Sequence, residues 1–193
     1  MGYYDPYPLV ILERPLVLLG FAGAELPKTG YFLAALTGLP FSDLARIVEH
    51  RAGQSLLALH RAGAEGRWAK LEEELFGSAL RETPPRLVVF GEARPLSQRS
   101  LRLLRSQARS IYLRRPREQL LANIQRGLQE QPDRFPSMVD APPRSLEELV
   151  PLLEARESLY EQADELLDAG AMSPLETAQT IARRLGWSSG EPH

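Results

Sequence analysis

Gly20-Phe21-Ala22-Gly23-Ala24-Glu25-Leu26-Pro27 stands between an unbroken apolar run, Leu16–Leu19, and a helical pattern that reaches about Thr37. A glycine loop between a strand and a helix is where a phosphate-binding G-x-x-x-x-G-K-[ST] motif would act. Its chemistry is specific. The glycines let backbone N–H groups turn inward around phosphate oxygens, the lysine neutralises β- and γ-phosphate charge, and the hydroxyl residue ligates Mg²⁺. Reading from Gly20, those three positions hold Glu25, Leu26 and Pro27. Each exchange removes a working group. Glu25 adds a carboxylate, and like charges about 4 Å apart repel by roughly 4 kcal/mol at an effective dielectric near 20. Pro27 removes one N–H from the helix start.

A second register is open. Lys28-Thr29 follows two residues later. In a loop lengthened by two, Lys28 would be the phosphate lysine and Thr29 the hydroxyl, with ATP and Mg²⁺ as cofactors. Against this register, the residue before Lys28 is Pro27 rather than glycine.

The elements that must position these residues follow from the hydrophobic pattern. Strands are expected at 16–19, 40–43, 87–90, 110–113 and 165–167. Helices are expected at 27–37, 44–52, 56–63, 66–79, 97–107, 116–128, 145–163 and 173–185. Pro27 suits a helix start and Gly38 its end. Ser145 with Glu148 reads as a capping box. Alternating strands and helices imply parallel βαβ units in a three-layer α/β/α domain, whose ligands bind at the carboxyl ends of the strands. Residues 1–13, with Tyr3, Tyr4 and Tyr7 among prolines, read as an N-terminal extension. Residues 14–186 read as one domain, 129–143 as a proline-rich lid and 187–193 as a flexible tail.

Composition narrows the function. The chain has 193 residues, a formal net charge of −2 and no cysteine. Disulfides and thiolate metal sites are excluded. The charge balance gives no electrostatic case for nucleic acid or an anionic membrane. No apolar run approaches a bilayer span and no secretory leader is evident, so a cytoplasmic protein is expected. His50, His60 and His193 lack metal-ligand spacing, and no metal site is expected. Arg99, Arg102, Arg105 and Arg109 form a basic stripe that reads as a solvated helix face.

Several segments together resemble the shikimate kinase family. The loop from Gly20 to Ala24, with Gly30 following, is similar to the family's G-F-M-G-A-G-K-S-T-x-G. Gly38-Leu39-Pro40-Phe41-Ser42-Asp43-Leu44 resembles G-L-P-F-x-D-x-D, and Glu49–Ser55 resembles I-E-x-x-x-G-x-S. Glu65–Glu72 resembles E-x-x-F-R-x-x-E. Leu87–Ala93 stands where the family has a strand and G-G-G, Ser110–Leu113 matches its next strand, and Arg156–Ala163 resembles R-x-x-L-Y-x-x-x-A. The resemblance covers about 16–185 and runs without a gap through the loop. It implies a nucleoside-monophosphate-kinase-like fold with a five-stranded parallel sheet and a lid.

The resemblance also implies residue roles. Asp43 matches the carboxylate near Mg²⁺, although as a residue opening a helix it reads as a cap. Ala45 replaces the carboxylate that binds shikimate hydroxyls. Trp68 replaces the phenylalanine of F-R and reads as core or pocket wall. Ala69 replaces the arginine that grips the shikimate carboxylate, while Glu72 is kept. Gly91 is kept, but Glu92 and Ala93 replace glycines. Arg156 matches the second substrate arginine, although a mid-helix arginine equally reads as the partner of a neighbouring carboxylate such as Glu157 or Glu161, and Arg134 is the lid arginine. The phosphate loop (Gly20, Gly23, Glu25, Leu26, Pro27, Lys28, Thr29) is thus expected to be degenerate, with Asp43, Glu72, Gly91 and Arg156 as a remnant pocket. The expectation is a pseudokinase with no catalytic residue and no cofactor, acting by binding another protein. The alternatives are an ATP-dependent small-molecule kinase using Lys28 and Thr29, and a module that binds a small molecule without phosphoryl transfer.

Overall fold

The computed structural model describes residues 10–92, 95–131 and 142–186. The Tyr-rich start, most of the expected lid with Arg134, Ala93 and the tail lie outside the described residues.

Five strands, β1 (Leu16–Leu19), β2 (Phe41–Asp43), β3 (Leu87–Phe90), β4 (Arg109–Arg114) and β5 (Glu165–Asp168), form one sheet in the order β2-β3-β1-β4-β5. Every pairing is parallel, with Leu16 opposite both Leu87 and Arg109. The two apolar tetrads of β1 and β3 are buried along their whole length. That is why their pattern is continuous rather than alternating: a central parallel strand is covered on both faces.

Eight helices occupy the described residues: α1 (Leu26–Thr37), α2 (Leu44–Ala52), α3 (Leu56–Arg61), α4 (Glu65–Ala79), α5 (Gln98–Gln107), α6 (Arg117–Glu130), α7 (Leu146–Tyr160) and α8 (Pro174–Arg184). α1 packs on α8, α4 on α5 and α6 on α7. None is long and apolar enough to cross a membrane. Side-chain oxygens start several of them. Asp43, Ser55, Ser97 and Ser173 each accept a backbone N–H from the first turn, and Ser173 with Glu176 completes a capping box. At α7 the box is half made: Ser145 accepts from Glu148 N–H, but the Glu148 carboxylate takes the N–H of Arg144 instead of Ser145.

Two apolar clusters result. The larger lies on both faces of the sheet. The smaller joins Val48, Leu56, Leu59 and Trp68 of α2, α3 and α4. Trp68 is 2% exposed and belongs to this core. The expected basic stripe is broken at its end, because α5 stops at Gln107 and Arg109 opens β4, where it pairs with Glu165.

Strand order reverses at β1. The chain passes from β1 out to β2, returns through β3, and crosses to β4 on the other side. The loops leaving β1 and β3 therefore open a crevice at the carboxyl end of the sheet.

Candidate functional site

That crevice holds a cavity of ≈ 250 Å³. The loop after β1 contributes Gly23 and Glu25 to its wall, α1 contributes Pro27 and Lys28, and Asp43, Arg46 and Glu49 come from β2 and α2. Glu92 lines it from the exit of β3, and Asn123 and Arg126 close it from α6.

α1 begins at Leu26, directly after Glu25. Glu25 has φ 59 and ψ 37, and is the one non-glycine residue with positive φ among those described. That left-handed conformation is what a glycine at this position supplies without steric cost. The side chain of Leu26, at the lysine position, is wholly buried in the core. Lys28 pairs with Glu25 at 3.3 Å. Thr29 is fully buried, and its hydroxyl has no hydrogen-bond partner among the described residues. Lys28 and Thr29 thus do not share a phosphate-facing surface: Lys28 lines the cavity from the first turn of α1, whereas Thr29 is wholly buried.

Side chains from the far wall fasten the loop. Asn123 donates to the Gly23 carbonyl at 2.8 Å, and Arg126 donates to both Asn123 Oδ1 (2.8 Å) and Glu25 Oε1 (3.0 Å). Arg115, nearly buried at the end of β4, donates to the carbonyls of Ala24 (3.1 Å) and Met172 (2.7 Å). Its burial lowers its basicity. The N–H of Leu26 donates to Glu92 Oε1 at 3.3 Å, so an internal carboxyl group stands at the helix start where an anion would bind.

The other expected pocket residues separate into two groups. Asp43 lines the cavity and caps α2, accepting from Arg46 N–H at 3.3 Å and pairing with Arg46 Nε at 3.5 Å. Burial holds its carboxyl above the usual range. Gly91, Glu72 and Arg156 do not line this cavity. Arg156 pairs with neither Glu157 nor Glu161. It donates to the Glu92 carbonyl (3.3 Å) and its guanidinium lies 5.3 Å from the centre of the Phe21 ring. Tyr160 donates its hydroxyl to the Gly91 carbonyl at 2.8 Å and stacks on Tyr112.

Asn123, Arg126 and Arg115 did not stand out in the sequence. Asn123 and Arg126 have i, i+3 spacing on one helix, but nothing in that spacing says the helix faces the loop. Glu92 was visible as an added charge, though not as a helix cap.

The comparisons agree with this architecture. The shikimate kinase family model matches residues 28–186, starting just after the Gly20–Pro27 loop. The shikimate kinase of Geobacter sulfurreducens is 31% identical over 169 residues, covering 88% of this chain and 89% of that one. That of Thermodesulfovibrio yellowstonii is 24% identical, covering 88% and 94%. Among solved structures, shikimate kinase from Acinetobacter baumannii in complex with shikimate aligns with a TM-score of 0.74 at 23% identity, covering 92% of this chain and 96% of that chain. The Aquifex aeolicus enzyme aligns with a TM-score of 0.71 at 22% identity, covering 89% and 96%. The family model spans most of the chain, the Geobacter relative aligns along nearly its whole length, and the parallel sheet has the matching fold: this chain belongs to the shikimate kinase family.

Proposed function

We propose that the chain is a non-catalytic member of the family that acts by binding another protein. One observation carries the loss of catalysis: a fully buried Leu26 stands at the lysine position, directly after a left-handed Glu25. Phosphoryl transfer depends on positioning and on neutralising charge at the transferring group. A buried leucine supplies no charge there, and Glu25 supplies the wrong sign. Asn123, Arg126 and Arg115 meanwhile hold the loop as a structural element. Binding through the surface accords with large exposed side chains such as Tyr31 on α1, 65% exposed.

Titration calorimetry with ATP and ADP in the presence of Mg²⁺ tests the reading. No binding up to several millimolar is expected, with no transfer to shikimate. Submillimolar binding that Lys28→Ala abolishes would overturn it in favour of a kinase with a rearranged loop. The cavity favours one further reading, a small-molecule binding module without transfer. Since Arg46 and Arg126 line the cavity and Arg156 does not, such binding would depend on the first two.

A further inference from the structure

Glu25 holds a left-handed conformation that glycine takes without steric cost and glutamate does not. Such strain persists only where the surroundings fix it. The Glu25 side chain is 13% exposed, and its Oε1 accepts from two cations, Lys28 Nζ at 3.3 Å and Arg126 Nη2 at 3.0 Å. The cations come from two walls of the cavity, Lys28 from the first turn of α1 and Arg126 from α6. Arg126 has a second anchor that does not involve Glu25. The same Nη2 donates to Asn123 Oδ1 at 2.8 Å, and Asn123 Nδ2 donates to the Gly23 carbonyl at 2.8 Å. The side chains of Arg126 and Lys28 are 51% and 58% exposed, so both are open to an incoming oxyanion. Other groups on the wall are engaged elsewhere: Arg46 pairs with Asp43, Glu49 accepts the Leu56 N–H, and Glu92 accepts the Leu26 N–H.

We propose that the Glu25 carboxylate is a built-in anion that occupies a preorganised cation pair, Lys28 and Arg126, and shuts phosphate out of the cavity. It rests on the reading that the loop no longer serves a nucleotide, and it adds a specific contact to the mere absence of a lysine at position 26. Two effects act together. The carboxylate takes up the ammonium and guanidinium that would attract a phosphate, and its charge repels one that approaches. The phosphate-loop pattern is local and includes no residue from a later helix, so the hold of Arg126 on Glu25 is a feature of this chain's own tertiary structure. Asp43, Glu49, Glu92 and Glu130 also line the cavity, so a released cation pair binds only weakly. Inorganic phosphate at millimolar concentration is therefore the probe.

Glu25→Gln removes the charge and keeps the size. Phosphate is titrated at neutral pH and constant ionic strength into the full-length wild type, E25Q, and E25Q combined with Arg126→Gln. The backbone amides of Lys28, Asn123 and Arg126 are followed by proton–nitrogen NMR. E25Q is expected to bind phosphate at least about tenfold more tightly than wild type, and the double variant should return to the wild-type level. Phosphate that binds wild type as tightly as E25Q, that fails to bind E25Q, or that binds the double variant as well as E25Q would overturn the proposal. Should E25Q not hold its fold, Glu25→Gly decides by the same criteria, because glycine takes this conformation without strain. The non-catalytic reading falls on a different result, nucleotide binding by wild type, whereas an E25Q that ignores phosphate overturns the built-in anion alone.

Discussion

Asn123 donates its side-chain amide to the Gly23 carbonyl across the cavity, and the same approach brings the α6 backbone against the glycine. A Cβ on Gly23 would lie 2.5 Å from the Leu120 carbonyl oxygen, and its φ is +85. Gly23 is thus required by packing whether or not a phosphate ever binds. Gly23→Ala should destabilise the chain by about 2 kcal/mol or more, through strain and a backbone clash that no side-chain rotation relieves. Urea unfolding monitored by far-UV circular dichroism checks this.

Thr29 offers the opposite outcome. Its hydroxyl is buried without a hydrogen-bond partner among the described residues. Thr29→Val keeps the shape and removes the orphaned polar group, so it should be neutral or stabilising by about 1 kcal/mol. If Thr29 served Mg-ATP, the same variant would lose nucleotide binding. Thermal melts with and without Mg-ATP separate the two.

Arg115 ties the phosphate loop to the start of α8, through the carbonyls of Ala24 and Met172. Arg115→Ala leaves those carbonyls without their donor and should cost about 3 kcal/mol. Arg115→Lys retains the charge but not the planar fork that reaches both carbonyls, so its melting temperature should fall between wild type and Ala.

The raised Glu92 pKa fixes a pH dependence of stability. Its ordinary value is 4.5 and its folded value about 8. Between them the folded chain holds a proton that the unfolded chain has released. The Glu92 contribution to stability should therefore be fully present below the ordinary value, fall by about 1.4 kcal/mol per pH unit as pH rises through that window, and level off above it. Glu92→Gln should remove this slope and be more stable than wild type at mildly alkaline pH. Denaturant titrations of both proteins across the window give the comparison.

Much of the fold was readable because its signals are local. The continuous apolar tetrads of β1 and β3, Gly38 and Gly53 in left-handed helix ends, and serine caps each act within a few residues. Where the reading erred, distance was the cause. Arg109 fits a helical stripe by spacing, yet it opens β4 because its main-chain N–H bonds to Pro15 in the neighbouring chain segment and its side chain finds Glu165. Arg156 was weighed against its helical neighbours, whereas its partners come from β3 and the first loop.

The candidate site divides in the same way. The sequence by itself determined that the loop counted from Gly20 carries Glu25, Leu26 and Pro27 at the sixth to eighth positions, since residue identity decides which groups exist. Only the tertiary structure decided what those residues do instead. It turned Leu26 into the core, set Glu25 between Lys28 and Arg126, and brought Glu92 to the start of α1. The contacts of Leu26 with Glu92 and of Glu25 with Arg126 join residues 66 and 101 positions apart in the chain. Local propensity carries no information about such pairs, because the parallel crossovers that bring them together are fixed by burial of the whole sheet rather than by either residue.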